Sequence, residues 1–154
     1  WSRRPDLWQA PPETASMMLH LGGLALGGLC AAAAPRVLRR TGKGAETLAT
    51  VLLVISAIGA AMAIGLELQA WWTSGLKPDA TSQGAAVFAL LGWSATFAGI
   101  GMLMGLYILL RRAFRRLSAE RPSTIDLIGL FMTYTAAQAV ILVLLIRLFP
   151  GSSA

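Results

Sequence analysis

The chain has 154 residues, with 13 Lys and Arg against 7 Asp and Glu and a formal net charge of +6. Only 13% of residues are charged and the mean hydropathy is +0.65. A soluble domain carries about 25% charged residues, so an ordinary water-soluble fold is excluded. The positive charges sit beside apolar runs, not on a separate basic helix or aromatic platform, so membrane topology accounts for them and nucleic-acid binding does not.

Residues 1–13, WSRRPDLWQAPPE, contain three prolines and two tryptophans. Pro11 and Pro12 bar a regular helix until they are passed, and Trp1 and Trp8 suit the headgroup layer, which predicts an extended interfacial lead-in. The stretch has no apolar core and does not read as a signal peptide. The chain opens on Trp1 and not Met, the expectation being that residues are missing ahead of it or that it is a piece of a longer polypeptide.

Four apolar spans follow, over about 14–34, 47–72, 84–110 and 124–149. The first is poor in large side chains and is expected to stop at Pro35. Its Gly23 and Gly27 form a GxxxG spacing that lets two backbones approach closely in lipid, so that face is expected to meet a partner. In the second, Gly59 and Ala63, like Ala61 and Gly65, again place small residues four apart. Trp71 and Trp72 are read as marking its far interface. The polar segment 73–83 is a turn built on Gly75, Pro78 and Asp79. From Gly84 to Leu110 no charge occurs over 27 residues. As a helix this run is about 40 Å long, more than the roughly 30 Å of a hydrocarbon core. Ser123 and Asp126 have the spacing of a capping box opening the fourth span, which ends at Pro150 and Gly151.

The class that emerges is all-α: an integral membrane protein whose four transmembrane helices form one antiparallel bundle. Arg36, Arg39, Arg40 and Lys43 fill the first loop, and Arg111, Arg112, Arg115, Arg116 and Arg121 the third, so these loops hold nine of the 13 basic residues. Such a bias assigns them to the cytoplasm and both termini to the outside.

Candidate chemistry is sparse. Cys30 is alone and reads as a buried hydrophobe. The chain has one histidine, His20. With no second histidine and no carboxylate evidently beside it, a hydrogen bond between helices explains it better than haem or metal ligation. Glu67 is open to three readings: a proton-pathway carboxylate, an ion pair with a partner subunit, or an interfacial group reaching water. Its depth, about 7 Å inside the tryptophan pair, favours the third. Arg147 is expected to snorkel outward. Tyr134 and Gln138 share a helix face and are expected to hydrogen-bond between helices, and the methionines are read as packing. Gly23, Gly27, Glu67, Trp71, Trp72 and Gln138 are the candidates for partner or lipid contact. The arginine clusters set topology. No catalytic, cofactor-binding or metal-binding residue is expected.

The stretches 75–93, 106–112 and 125–150 resemble the C-terminal part of subunit III of haem–copper cytochrome c oxidases, most closely in bacterial chains where subunits I and III are fused. The matching residues include Gly75 to Pro78, Gly84, Ala85, Trp93, Leu130, Phe131, Tyr134, Thr135, Ala137, Gln138, Phe149 and Pro150. About half the chain is covered well, and the first two spans by hydropathy alone. Thr133 stands where the relatives have histidine, and Phe97 near a second such position. The resemblance implies an accessory subunit that binds no haem or copper itself, packs against catalytic subunit I and other oxidase subunits, holds phospholipids and supports turnover and proton uptake. It also implies seven helices in the full subunit, the last four beginning and ending outside, which is the orientation the arginines give independently. The expected function is thus a non-catalytic oxidase subunit in a bacterial inner membrane. The alternative is a small four-helix transporter or adaptor with its own cavity, a lipid-modifying enzyme being a distant third.

Overall fold

The computed structural model describes residues 14–39, 44–114 and 123–148. The lead-in, Arg40, Lys43, Arg115, Arg116 and the Phe149–Pro150 pair lie outside the described residues. Four helices run up and down: α1 (Thr14–Leu38), α2 (Ala45–Thr73), α3 (Ser82–Ala113) and α4 (Ser123–Leu148). Each is long and apolar enough to cross a bilayer. The expected spans fall within three residues of these helices at every end but one.

That exception is Pro35, which lies inside α1 and does not end it. The proline removes a single backbone donor, and two contacts favour carrying the helix past it. Leu38 is almost wholly buried, and Arg39 N–H bonds the Pro35 carbonyl at 3.2 Å to close the last turn. The proline ring itself lies against α4, where a Cβ on Gly129 would stand 3.0 Å from both Pro35 Cγ and the Ala31 carbonyl oxygen.

In cross-section α1 packs on α2 and α4, α3 packs on the same two, and α2 meets α4 across the middle. Among the described residues α1 and α3 are diagonal to each other, with no close backbone approach. The core has three tiers. Nearest the arginine-rich end, Leu38, Leu53, Ile108, Ile125 and Met132 interlock. Small residues in the middle, Ala60, Ala63, Ala98 and Ala139, bring the helices close around Leu24 and Ile64. At the far end Trp71, Val87, Leu91, Leu142 and Ile146 close around Leu76 from the α2–α3 connector.

The close approach expected of Gly23 and Gly27 occurs within the chain. A Cβ on Gly23 would lie 3.9 Å from Ala63 Cβ, and one on Gly27 would lie 3.4 Å from the Ser56 carbonyl oxygen. Their face is occupied by α2, with Gly59 and Ala63 the answering small residues, so no outside partner is needed to cover it. Large apolar side chains such as Met18, Leu29, Ile55, Leu103, Leu130 and Ile141 point outward, as a lipid-facing surface requires.

The α2–α3 connector is tightly built. Gly75 adopts φ 87°, and Thr81 Oγ1 caps α3 by accepting Gly84 N–H at 2.9 Å. A Cβ on Gly84 would stand 2.0 Å from the Lys77 carbonyl oxygen, so only glycine fits. Gly84→Ala and Gly129→Val should each lower stability in detergent by about 1–3 kcal/mol, read as a fall in the thermal unfolding midpoint. Gly65→Ala, where a Cβ meets nothing, should be neutral or raise stability by up to about 1 kcal/mol.

Candidate functional site

Three ionisable side chains from three helices meet at the end of the bundle that carries the α2–α3 connector. His20 lies six residues into α1, Glu67 six before the end of α2, and Arg147 one before the end of α4. The antiparallel order sets them at one level. None reaches solvent: the side chains of Glu67, Arg147 and His20 are 0%, 2% and 5% exposed.

Glu67 is the hub. Arg147 grips it with two charge-assisted bonds, Nε to Oε1 at 2.7 Å and Nη2 to Oε2 at 2.7 Å. Trp71, one turn along α2, donates its indole Nε1–H to Oε1 at 3.0 Å. His20 Nδ1 donates to Oε2. A carboxylate has about four acceptor positions, and four donors fill them. The forked Arg147 geometry supplies planar recognition that a lysine could not. Glu67 and Arg147 cancel in charge, so the cluster with a neutral imidazole carries no net charge.

Several expectations change here. Glu67 is not an interfacial group reaching water: the far-end core tier and its four donors enclose it. Arg147 does not snorkel outward, because a buried carboxylate offers it a stronger partner than the headgroup layer. Trp71 is fully buried as a donor to Glu67, whereas Trp72 alone is exposed, at 59%, and sets its ring edge-on to Phe88. The expected interhelical hydrogen bond of His20 is present, with Glu67 as acceptor.

At the opposite end the arginines tie helices together. Arg39 Nη2 pairs with Asp126 Oδ2 at 3.0 Å. Arg111 Nη1 bonds Thr124 Oγ1 at 2.8 Å, Arg112 Nη2 bonds Thr47 Oγ1 at 2.7 Å, and Arg36 returns to its own Ala32 carbonyl. The capping role expected of Asp126 is therefore replaced by an ion pair to α1. Its second oxygen, Oδ1, is enclosed with no hydrogen-bond partner among the described residues. Ser123 is already the first helical residue. Gln138 does not make the interhelical bond expected of it: Oε1 is enclosed and unpartnered among the described residues. Tyr134 is largely exposed and meets Phe97 edge-on.

Sequence reasoning weighed His20, Glu67 and Arg147 one at a time, and so missed the cluster. The signal was available, since drawing the spans antiparallel puts all three at one depth, and Trp71 stands four residues after Glu67 on the same helix face.

The fold and this site define an all-α, multi-pass membrane protein whose buried charges are neutralised within the bundle. Compared with protein-family models, curated protein sequences and solved structures, the chain matches none.

Removing one member of a buried pair strands the other, at a typical cost of about 3–5 kcal/mol. Glu67→Leu and Arg147→Leu should each destabilise the bundle by about that amount. The double variant should lose much less than their sum, read from a double-mutant cycle of unfolding in detergent. Trp71→Phe keeps an aromatic side chain but removes the indole donor and part of the buried ring, and should cost at least about 1–3 kcal/mol.

Proposed function

We propose that the chain is a non-catalytic accessory subunit of a respiratory terminal oxidase, similar to subunit III of the haem–copper enzymes. It packs beside the haem- and copper-bearing subunit in a bacterial inner membrane, with both termini on the outer side. The observation that carries this reading is the resemblance of 75–93, 106–112 and 125–150, which together cover the connector before α3, the two end parts of α3 and most of α4. The orientation rests on the nine basic residues of the two loops at one end of the bundle.

Two features of the packing support the reading. The α3–α4 seam is lined by Phe97, stacked on Phe131 at 6.0 Å between ring centroids and edge-on to Tyr134 at 6.2 Å. The resemblance sets histidines near Phe97 and at Thr133. Here Thr133 Oγ1 donates instead to the Gly129 carbonyl at 2.7 Å, and the seam is held by rings, as befits a divergent subunit. The second feature is the use made of buried charge. A carrier needs inward polar groups available to a solute near the bilayer middle, whereas Glu67 is saturated by its own neighbours. Its cluster serves helix association, the task of a scaffolding subunit.

Purification of the tagged chain from its native membrane in mild detergent tests the proposal. The expected outcome is co-purifying haem absorbance together with larger membrane subunits. A stable oligomer of this chain alone, free of haem, would overturn it and favour a small transporter.

A further inference from the structure

The outer edge of the α3–α4 seam carries polar groups at a depth where hydrocarbon offers them no partner. Tyr134 is the twelfth of the 26 residues of α4 and is 58% exposed. It stands within about 3 Å of the helix midpoint, whereas the headgroup layer begins about 15 Å from the bilayer centre. Its hydroxyl makes no hydrogen bond among the described residues. The threonines nearby are satisfied: Thr96 Oγ1 donates to the Gly92 carbonyl at 3.0 Å and Thr133 Oγ1 to that of Gly129 at 2.7 Å. A short side-chain hydroxyl can fold back on its own helix in this way. A phenol held at the end of a rigid ring cannot.

Two further groups share this edge. Trp93 is 59% exposed, and its ring lies 5.3 Å from that of Phe97, which is itself edge-on to Tyr134. Its indole N–H is unbonded among the described residues. As the twelfth of the 32 residues of α3, it sits about 7 Å from that helix's midpoint and not at an end, where a tryptophan would anchor in the headgroups. Gln138 follows Tyr134 by one turn on the same face, and its amide is unbonded too, with Oε1 enclosed.

Polar side chains in a membrane helix normally face the bundle interior, so three at one outward edge call for a covering partner. Lipid tails cannot accept a hydrogen bond, and lipid ester carbonyls lie too far out. A second copy of this chain would set donors against donors, since the indole offers N–H alone and the acceptor of Gln138 is enclosed. The exposed line along α4 continues through Leu127, Leu130, Ile141 and Leu148, a length that another helix matches and a compact ligand does not. Ala137, exposed beside Tyr134, leaves room for a close approach.

We infer that the outer edge of the α3–α4 seam is the docking face for a transmembrane helix of the larger, haem-bearing subunit. That helix sets a hydrogen-bond acceptor, a hydroxyl, an amide or a free carbonyl, against Tyr134 and Trp93 at mid-membrane. The partner's identity rests on the oxidase reading, while the position of the face rests on the geometry of this chain.

Photocrosslinking of the full-length chain in its native membrane maps the face. Leu130→benzoylphenylalanine and Ile141→benzoylphenylalanine flank Tyr134 without removing it, and Leu29→benzoylphenylalanine and Ile55→benzoylphenylalanine probe the outward faces of α1 and α2. The first two are expected to crosslink to the haem-bearing subunit, identified by peptide mass, and the last two to lipid alone. Tyr134→Phe should leave the chain's own unfolding midpoint unchanged, because the hydroxyl bonds nothing within it. The same change should weaken association with the larger subunit about threefold, the typical effect of one such bond between membrane helices. Crosslinks to that subunit from Leu29 or Ile55 instead, with haem still co-purifying, would overturn the docking face and leave the oxidase reading standing. Absence of haem from the purified chain would overturn that reading and this partner with it. Crosslinks from positions 130 and 141 only to lipid, to a small lipid-soluble ligand or to a second copy would overturn the inference, as would undiminished association of Tyr134→Phe.

Discussion

An ionised carboxylate taken out of water must find donors for each of its acceptor positions, and the connector end of this bundle is arranged around meeting that demand for Glu67. One donor is local, the Trp71 indole one turn on. The other three arrive from helices far away in sequence: one from His20 on α1 and two from Arg147 on α4. Satisfying the carboxylate therefore sets both the rotation and the vertical register of α1 and α4 against α2. Apolar packing in lipid does this poorly, because hydrocarbon contacts with a neighbouring helix and with a lipid tail differ little in energy. Directional bonds to a single buried anion discriminate sharply. A helix rotated or shifted by a residue leaves a charge stranded.

The rest of the bundle follows the division of labour that this end imposes. α2 and α4 form the central pair and carry the members of the salt bridge, while α1 and α3 fill the grooves on either side. α1 is secured at both ends, by His20 to Glu67 and by Arg39 to Asp126. α3 has no member in the buried cluster. It is held by Arg111 and Arg112 to hydroxyls on α4 and α2, by stacked rings along α4, and by Leu76 plugging the far tier. Between the ends the alanine-rich middle supplies proximity but little specificity. Specificity is thus concentrated at the two ends.

Hydropathy and loop charge were enough to read the four helices and their antiparallel order, because each depends on local composition or on the bilayer thickness; small-residue spacing gave the close approach at Gly23 and Gly27 but not that α2 of the same chain fills it. Pro35 was misread because its ring was counted as a helix stop, whereas Gly129 on another helix leaves it room. The charged residues were misread for a related reason. In isolation Arg147 and Glu67 each sit near a membrane surface, where reaching water is the cheaper solution. Only the pairing of distant helices reveals that they reach each other instead. A residue's depth is legible from sequence; its partner is a property of the assembled bundle.

The order in which the cluster's members leave the ribosome follows from their positions. His20 and Glu67 are synthesised 80 residues or more before Arg147. Until α4 is made, the partners this bundle offers Glu67 are an imidazole and an indole alone. The last helix brings the missing cation, so the cluster can close only once α4 is in place.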